Sequence, residues 1–319
     1  MAYTEKKPEE AAPRLNSGKG SFRSGLSRRN RVWMCMFAPV LVYFIVFKYA
    51  PMAGYLIAFK QYNFTDGVFG SPWTGWDNYR MLFSDPTSLQ TIRNTLVISL
   101  LSVFVGFPFP ILLAIMFNEI RRVWFKKSVQ TLLYLPHFLS WVIVGGLVVT
   151  IFSQETGIIN QWVERLTGEP FPFLYREGSW LAVFLGSGVW KNAGFGAIIY
   201  LAALSSIDPS LYESSAIDGA GKWRQIWHIT LPGIRSTIVL MLILSMGNVM
   251  EVGFDQVYVL QNATVSRIAD VISTYVYRLG LQGMQFSLTT AMGLFESLVG
   301  LILVVTANRI ARRFGQQLW

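Results

Sequence analysis

The chain has 319 residues, 52% of them hydrophobic and 14% charged, with a mean hydropathy of +0.41. Soluble domains carry roughly 25% charged residues, so this composition excludes an ordinary water-soluble globule and points to a membrane-embedded protein. The net charge of +9 follows topology rather than one binding face, so no nucleic acid is expected as a partner. Cys35 is the single cysteine, and His137 and His228 stand far apart, which excludes an internal disulfide and a metal-ligand spacing.

Residues 1–31 are rich in Lys, Glu, Pro, Ser and Gly and end in Arg28-Arg29-Asn30-Arg31; they read as a disordered basic tail. The apolar stretch after them is long and lacks a small-residue cleavage site, which favours an uncleaved first span over a signal peptide. Six apolar segments follow, each near the ~20 residues needed to cross a bilayer. They are predicted at 32–52, 94–117, 128–152, 179–203, 235–259 and 287–308. Lys and Arg then set the orientation. The N-terminal tail holds 8, the 118–127 loop 4, the 204–235 loop 3 and the C-terminal end 3, so 18 of the 27 lie on one side. That side is cytoplasmic, with both termini inside, and membrane lipid surrounds the spans.

The outer loops are aromatic. Residues 53–93 include Trp73-Thr-Gly-Trp-Asp-Asn-Tyr79 and suit either an external partner or a lid over helix ends. Residues 153–178 contain Gly168-Glu-Pro-Phe-Pro-Phe, an interfacial turn. Residues 260–286 predict a short helix along the outer surface near 270–277.

Polar groups inside spans are costly and usually face a cavity or a partner. The fourth span carries Trp190-Lys191-Asn192 near mid-depth. Lys191 could meet a carboxylate or hydroxyl of a bound solute with Trp190 stacked on a face of that solute, or it could serve structure by bonding a carbonyl. In the fifth span Asn248, Glu251 and Asp255 fall at i, i+3, i+7, a single polar stripe on a continuous helix. This stripe would line a pathway or an interface with another membrane subunit, and a Lys191–Glu251 pair stays open. His137 and Ser140 in the third span and Glu296 and Ser297 in the sixth are secondary candidates, His137 reading first as a hydrogen-bonded packing residue. Gly145, Gly146, Gly186, Gly188, Gly194 and Gly196 allow close helix contact.

Between the fourth and fifth spans lies a polar stretch, Asp208 to Pro232. Asp208 is a good N-cap and Pro209 a good first helical residue. Gly219-Ala220-Gly221 breaks the helix. A second short helix starts near Lys222, with Trp223, Ile226, Trp227 and Thr230 on one face and Pro232 as its stop. The whole is a helix–turn–helix.

This stretch resembles the cytoplasmic coupling loop of ABC importer permeases. The family pattern is Glu-Ala-Ala, three residues, Gly, nine residues, Ile, one residue, Leu-Pro. Here Glu213-Ser214-Ser215, Gly219, Ile229 and Leu231-Pro232 keep that spacing, with Ser-Ser standing for Ala-Ala. The resemblance implies that the loop docks in a groove of an ATPase subunit, through Tyr212, Glu213, Ser214, Ser215, Ala216, Asp218, Gly219, Ala220, Trp223, Ile229, Leu231 and Pro232. The chain is also similar to the carbohydrate branch of these permeases through Trp190-Lys-Asn-Ala-Gly-Phe195, Tyr200-Leu-Ala-Ala-Leu204, Gly253-Phe-Asp-Gln-Val-Tyr-Val-Leu260 and Ala307-Asn308-Arg309. Within that branch it is most similar to importers of complex, including uronate-containing, oligosaccharides.

The resemblance implies an all-α polytopic fold of the type I importer kind, with a permease domain at 32–313, a core at about 85–308 and a short tail at 314–319. It implies a bacterial cytoplasmic membrane location. It implies a second homologous permease, two ATPase subunits and an extracytoplasmic sugar-binding protein as partners. No cofactor is expected in this chain, with ATP and Mg on the partner ATPase. Gly18-Lys19 and Gly221-Lys222 lack the upstream Gly and following Ser/Thr of a phosphate loop, so the chain is not expected to be an enzyme. The competing readings are a permease for a peptide or amino acid, a membrane enzyme, for which no nucleophile–base constellation is visible, and a secondary transporter, for which no repeated halves are visible.

Overall fold

The computed structural model describes residues 28–313. The expected tails, residues 1–27 and 314–319, lie outside the described residues. Among the described residues every regular element is a helix, apart from one isolated antiparallel bridge between Lys60 and Trp73.

The chain divides into two compact units at Gly54. The first contains α1 (Arg28–Phe44) and its π-helical continuation Ile45–Tyr49. The basic run Arg28–Arg31 forms the first turn of α1 rather than the end of a tail. The helical run Trp33–Phe59 is long and apolar enough to cross a membrane.

The second unit holds α2 (Asp77–Ser84), α3 (Pro86–Gly106), α4 (Pro108–Glu119), α5 (Val123–Phe138), α6 (Trp141–Phe152), α7 (Ile158–Thr167), α8 (Glu177–Leu204), α9 (Pro209–Ile217), α10 (Lys222–Gln225), α11 (Arg235–Gly247), α12 (Phe254–Leu260), α13 (Ile272–Val276) and α14 (Phe286–Arg313). Two further runs here cross a membrane by length and apolarity, Pro86–Glu119 (α3 with α4) and Phe286–Arg312. Three more spans are bent pairs: α5 with α6 at 104°, α8 with α9 at 76°, and Lys222–Gly233 with α11 at 61°. Counting each pair once gives six spans.

The bends correct the predicted spans at two places. The 128–152 segment is not one straight helix. Pro136 lies in the last turn of α5, where a proline cannot donate to the preceding turn, and Ser140 restarts the chain as the N-cap of α6. The 235–259 segment is also interrupted. Helix α11 stops at Gly247, residues 248–253 are non-helical, and α12 begins at Phe254. At the other ends local chemistry wins as expected. Asp85 accepts from the Ser88 amide at 2.9 Å and the Thr87 amide at 3.2 Å, so α3 starts at Pro86 instead of residue 94.

Helix α8 runs through the middle of this unit, packed on α3, α4, α5 and α6. Its glycines explain the close approach. A Cβ on Gly194 would run into the Leu133 carbonyl of α5, and one on Gly196 would press on Pro110 of α4 at 3.1 Å. At one end Trp180, Phe184, Val257 and Leu260 form a core with α6 and α12, and the Trp180 indole donates to the Leu260 carbonyl at 2.8 Å. At the other end Phe117, Tyr200, Leu204 and Ile234 form a second core. A third joins Leu82, Ile92, Ile272, Tyr275 and Met292. Ile272, Thr274 and Tyr275 of α13 are buried there, so the predicted surface helix is an inward-packed one.

Candidate functional site

Two places concentrate the candidate residues, the hairpin after α8 and a cavity among the spans.

In the hairpin the sequence signals act as read. The Asp208 carboxylate accepts from the Ser210 amide at 2.9 Å, and that backbone bond holds its pKa below the ordinary aspartate value. Pro209 opens α9, Asp218 follows its last residue, and Gly219 takes φ +75°, the left-handed region that glycine enters without Cβ strain. The second limb starts at Lys222 and continues as a π-helix over Ile226–Thr230. The wider π turn breaks the expected four-residue face. Thr230 is buried and Ile226 half-buried, while Trp223 (77% exposed) and Trp227 point outward. Pro232 does not stop the run either; helical structure reaches Gly233, and the turn into α11 comes at Ile234.

The two limbs are fastened by groups that spacing alone did not reveal. The Gln225 amide donates to Ser215 Oγ at 3.0 Å and to the Tyr212 carbonyl at 3.3 Å, and the Tyr212 hydroxyl meets Thr230 Oγ1 at 3.1 Å. Lys222 pairs with Glu119 at the end of α4, 2.8 Å away. A Cβ on Gly233 would meet Ile207 at 2.6 Å, which fixes the hairpin's root. Of the expected docking residues, Glu213, Ser214, Ala216, Asp218, Gly219, Trp223 and Pro232 are exposed; Tyr212, Ser215, Ala220, Ile229 and Leu231 are partly buried within the hairpin and its root. Ile217, not among the candidates, is 87% exposed on the same surface. The signal available in the sequence was an isoleucine directly before the helix-ending Asp218-Gly219.

The cavity has a volume of about 710 Å³ and is walled by α3, α5, α8, α11, the 248–253 break and α12. It gathers Asn192, Asn248, Glu251 and His137 from the sequence candidates and adds Ser99 and Gln256. The His137 ring stacks on Phe195 with centroids 4.0 Å apart and planes 3° apart, and Nδ1 lies 3.2 Å from Asn192 Oδ1. Asn248 and Glu251 reach the cavity from a break, not from a helical stripe; Asp255, the third member, is exposed and outside the cavity wall. Trp190 lies outside it too.

Lys191 turns away from the cavity. It is 7% exposed, and its ammonium donates to the carbonyls of Pro136 at 3.2 Å, His137 at 2.8 Å and Leu139. These carbonyls lie at the α5–α6 bend, where that of Pro136 also accepts from the Leu139 amide at 3.2 Å. Of the readings open in the sequence, the structural one describes this lysine, and its nitrogen is committed there rather than to Glu251. Ser140 is spent on capping α6, and Ser297 on the Gly293 carbonyl. Glu296 is half-buried on α14, outside the cavity wall.

Comparison with known proteins bears on both places. The family model described as "binding-protein-dependent transport system inner membrane component" matches residues 106–318. The polygalacturonan/rhamnogalacturonan transport system permease protein YteP of Bacillus subtilis (strain 168) is 47% identical over 282 residues, 88% of each chain. Protein LplB of the same organism is 42% identical over 306 residues, 96% of each chain. A solved bacterial ABC transporter involved in the import of the acidic polysaccharide alginate has a chain that superposes with a TM-score of 0.83 at 44% identity, covering 89% of this chain and 96% of that one.

Proposed function

The chain belongs to the binding-protein-dependent transport system inner membrane components, and from that premise we propose that it is the permease subunit through which an ATP-driven importer passes oligosaccharides across the bacterial cytoplasmic membrane. The observation that carries the sugar assignment is the likeness, along nearly nine-tenths of both chains, to a permease named for polygalacturonan and rhamnogalacturonan. The working complex contains this chain, a second similar permease, two ATPase subunits that hold ATP and Mg, and an extracytoplasmic sugar-binding protein.

The hairpin is the part that meets the ATPase. Its exposed apolar side chains Ile217, Trp223 and Trp227, flanked by Glu213 and Asp218, offer a surface that loses water on docking. The lever is short and stiff. Helix α8 turns directly into α9, and the second limb turns directly into α11. Helix α11 has 13 residues, so it spans roughly 20 Å and ends at the cavity wall beside Asn248. A rotation of the hairpin as ATP closes the ATPase pair therefore moves the residues that would meet sugar. ATP drives the change because it binds one state of the ATPase pair more tightly than the other.

The test is ATP hydrolysis by the complete complex in liposomes, with binding protein loaded with a panel of oligosaccharides. Stimulation by at least one oligosaccharide is expected. Stimulation by peptide or amino-acid ligands alone, in an assembled complex, would remove the sugar assignment and leave the permease.

A further inference from the structure

We propose that the cavity wall built by this chain recognises sugar hydroxyls and disfavours carboxylates, so that the acid groups of an acidic oligosaccharide find no partner on it. This rests on the oligosaccharide reading above and deepens it.

Charge is the first ground. Among the described residues that wall the cavity there is no Lys or Arg. The cation nearest in sequence to the Asn192 wall, Lys191, is buried on three carbonyls at the α5–α6 bend. A bound carboxylate is held best by a fixed cation, above all a guanidinium with paired donors, and this wall supplies none. It supplies the opposite. Glu251 is exposed at the break after α11 and lines the cavity. As a carboxylate it accepts hydrogen bonds and cannot donate, so it suits a hydroxyl and repels another carboxylate.

Unspent hydrogen bonds are the second ground. The Ser99 hydroxyl is 5% exposed, lies on the wall and is the buried side-chain polar atom that finds no partner among the described residues. A buried hydroxyl left unpaired costs free energy, and that cost is recovered when a ligand or a water reaches it. The Asn248 amide, also on the wall, makes no side-chain hydrogen bond among the described residues. The free groups are therefore the hydroxyls of Ser99, Ser102 and Tyr200, the Asn248 amide and the Glu251 carboxyl. Together they offer donors and acceptors, the complement of ring hydroxyls that each donate and accept. His137 and Asn192 are paired with each other and serve as a rigid edge.

The test uses the complete complex in liposomes and two probes of equal length, an oligogalacturonate and the matching neutral galacto-oligosaccharide. Uptake of each is measured for wild type, Glu251→Gln and Glu251→Asp, with assembly of every variant checked by size and subunit stoichiometry. Glu251→Gln is expected to raise uptake of the acidic probe relative to the neutral one by roughly tenfold, since close like charges outside bulk water repel by more than 1 kcal/mol. Glu251→Asp keeps the charge and is expected to keep the wild-type ratio. A gain of this kind does not arise from misfolding. A ratio that is unchanged or lower in Glu251→Gln overturns the proposal while the oligosaccharide reading stands. A wild type that moves neither probe nor any other oligosaccharide overturns both.

Discussion

The Lys191 ammonium donates to the His137 carbonyl at 2.8 Å, joining the middle of α8 to the end of α5. The same nitrogen also bonds the carbonyls of Pro136 and Leu139, so one buried cation closes the 104° bend of the third span. Backbone carbonyls without partners are expensive inside a membrane. The bend in turn sets the position of His137 at the cavity.

Lys191→Met is therefore expected to destabilise the assembled complex, by roughly 1–3 kcal/mol for the carbonyls it orphans. The measurement is the thermal transition of the detergent-solubilised complex. The acidic-to-neutral uptake ratio of whatever complex survives should match wild type. A shift in that ratio comparable to Glu251→Gln would mean that the lysine meets substrate after all.

Gly194 and Gly186 form an internal comparison on α8. A Cβ at Gly194 collides with the Leu133 backbone, while one at Gly186 meets nothing within 4 Å. Gly194→Ala should cost about 1–3 kcal/mol through overpacking. Gly186→Ala should be neutral or slightly favourable, since alanine is the better helix former. Equal losses in thermal stability would contradict the α5–α8 packing.

Gly219→Ala places a Cβ at φ +75°. Strain of about 1–2 kcal/mol is expected there. Stimulated ATP hydrolysis should fall several-fold while the spans stay folded. Gly219→Asn should fall less, because asparagine tolerates this region. Identical activity in both variants would show that the turn does not need glycine.

Ile217→Ser removes the most exposed aliphatic side chain of the hairpin. Burying such a side chain is worth about 1.5–3 kcal/mol, so ATPase subunits should dissociate roughly tenfold or more easily from the variant in a pull-down titration. Unchanged retention would move the docking surface away from α9.

Asp85 supplies a pH test. Desolvation would raise its pKa, but the Ser88 hydroxyl and the Ser88 and Thr87 amides outweigh it and hold it below the ordinary value. A lowered folded pKa means that the stabilisation is complete above the unfolded value, near 3.9, and is lost as pH falls through the folded one. Wild type should therefore lose its stability advantage over Asp85→Ala below about pH 4. A difference between the two that is constant from pH 6 to pH 3 would contradict the cap.

The six-span architecture and the coupling hairpin were legible in the residues because their signals are local. Apolar length sets a span, the distribution of Lys and Arg sets its direction, and Asp208, Pro209 and Gly219 each shape the backbone at their own positions. Other readings failed where they assumed an unbroken helix. Asn248, Glu251 and Asp255 make a stripe only if α11 continues, and it stops at Gly247. Trp223 to Thr230 make one face only at the α period, and the chain is π-helical there. Hydropathy and residue spacing thus determined that this protein crosses a membrane six times and carries a polar helix–turn–helix between two of its spans. Tertiary structure alone decided that Lys191 serves the bend while Glu251 and Ser99 face the cavity. The lysine's acceptors lie more than fifty residues away in the chain, and only the packing of α8 against α5 brings that ammonium to those carbonyls.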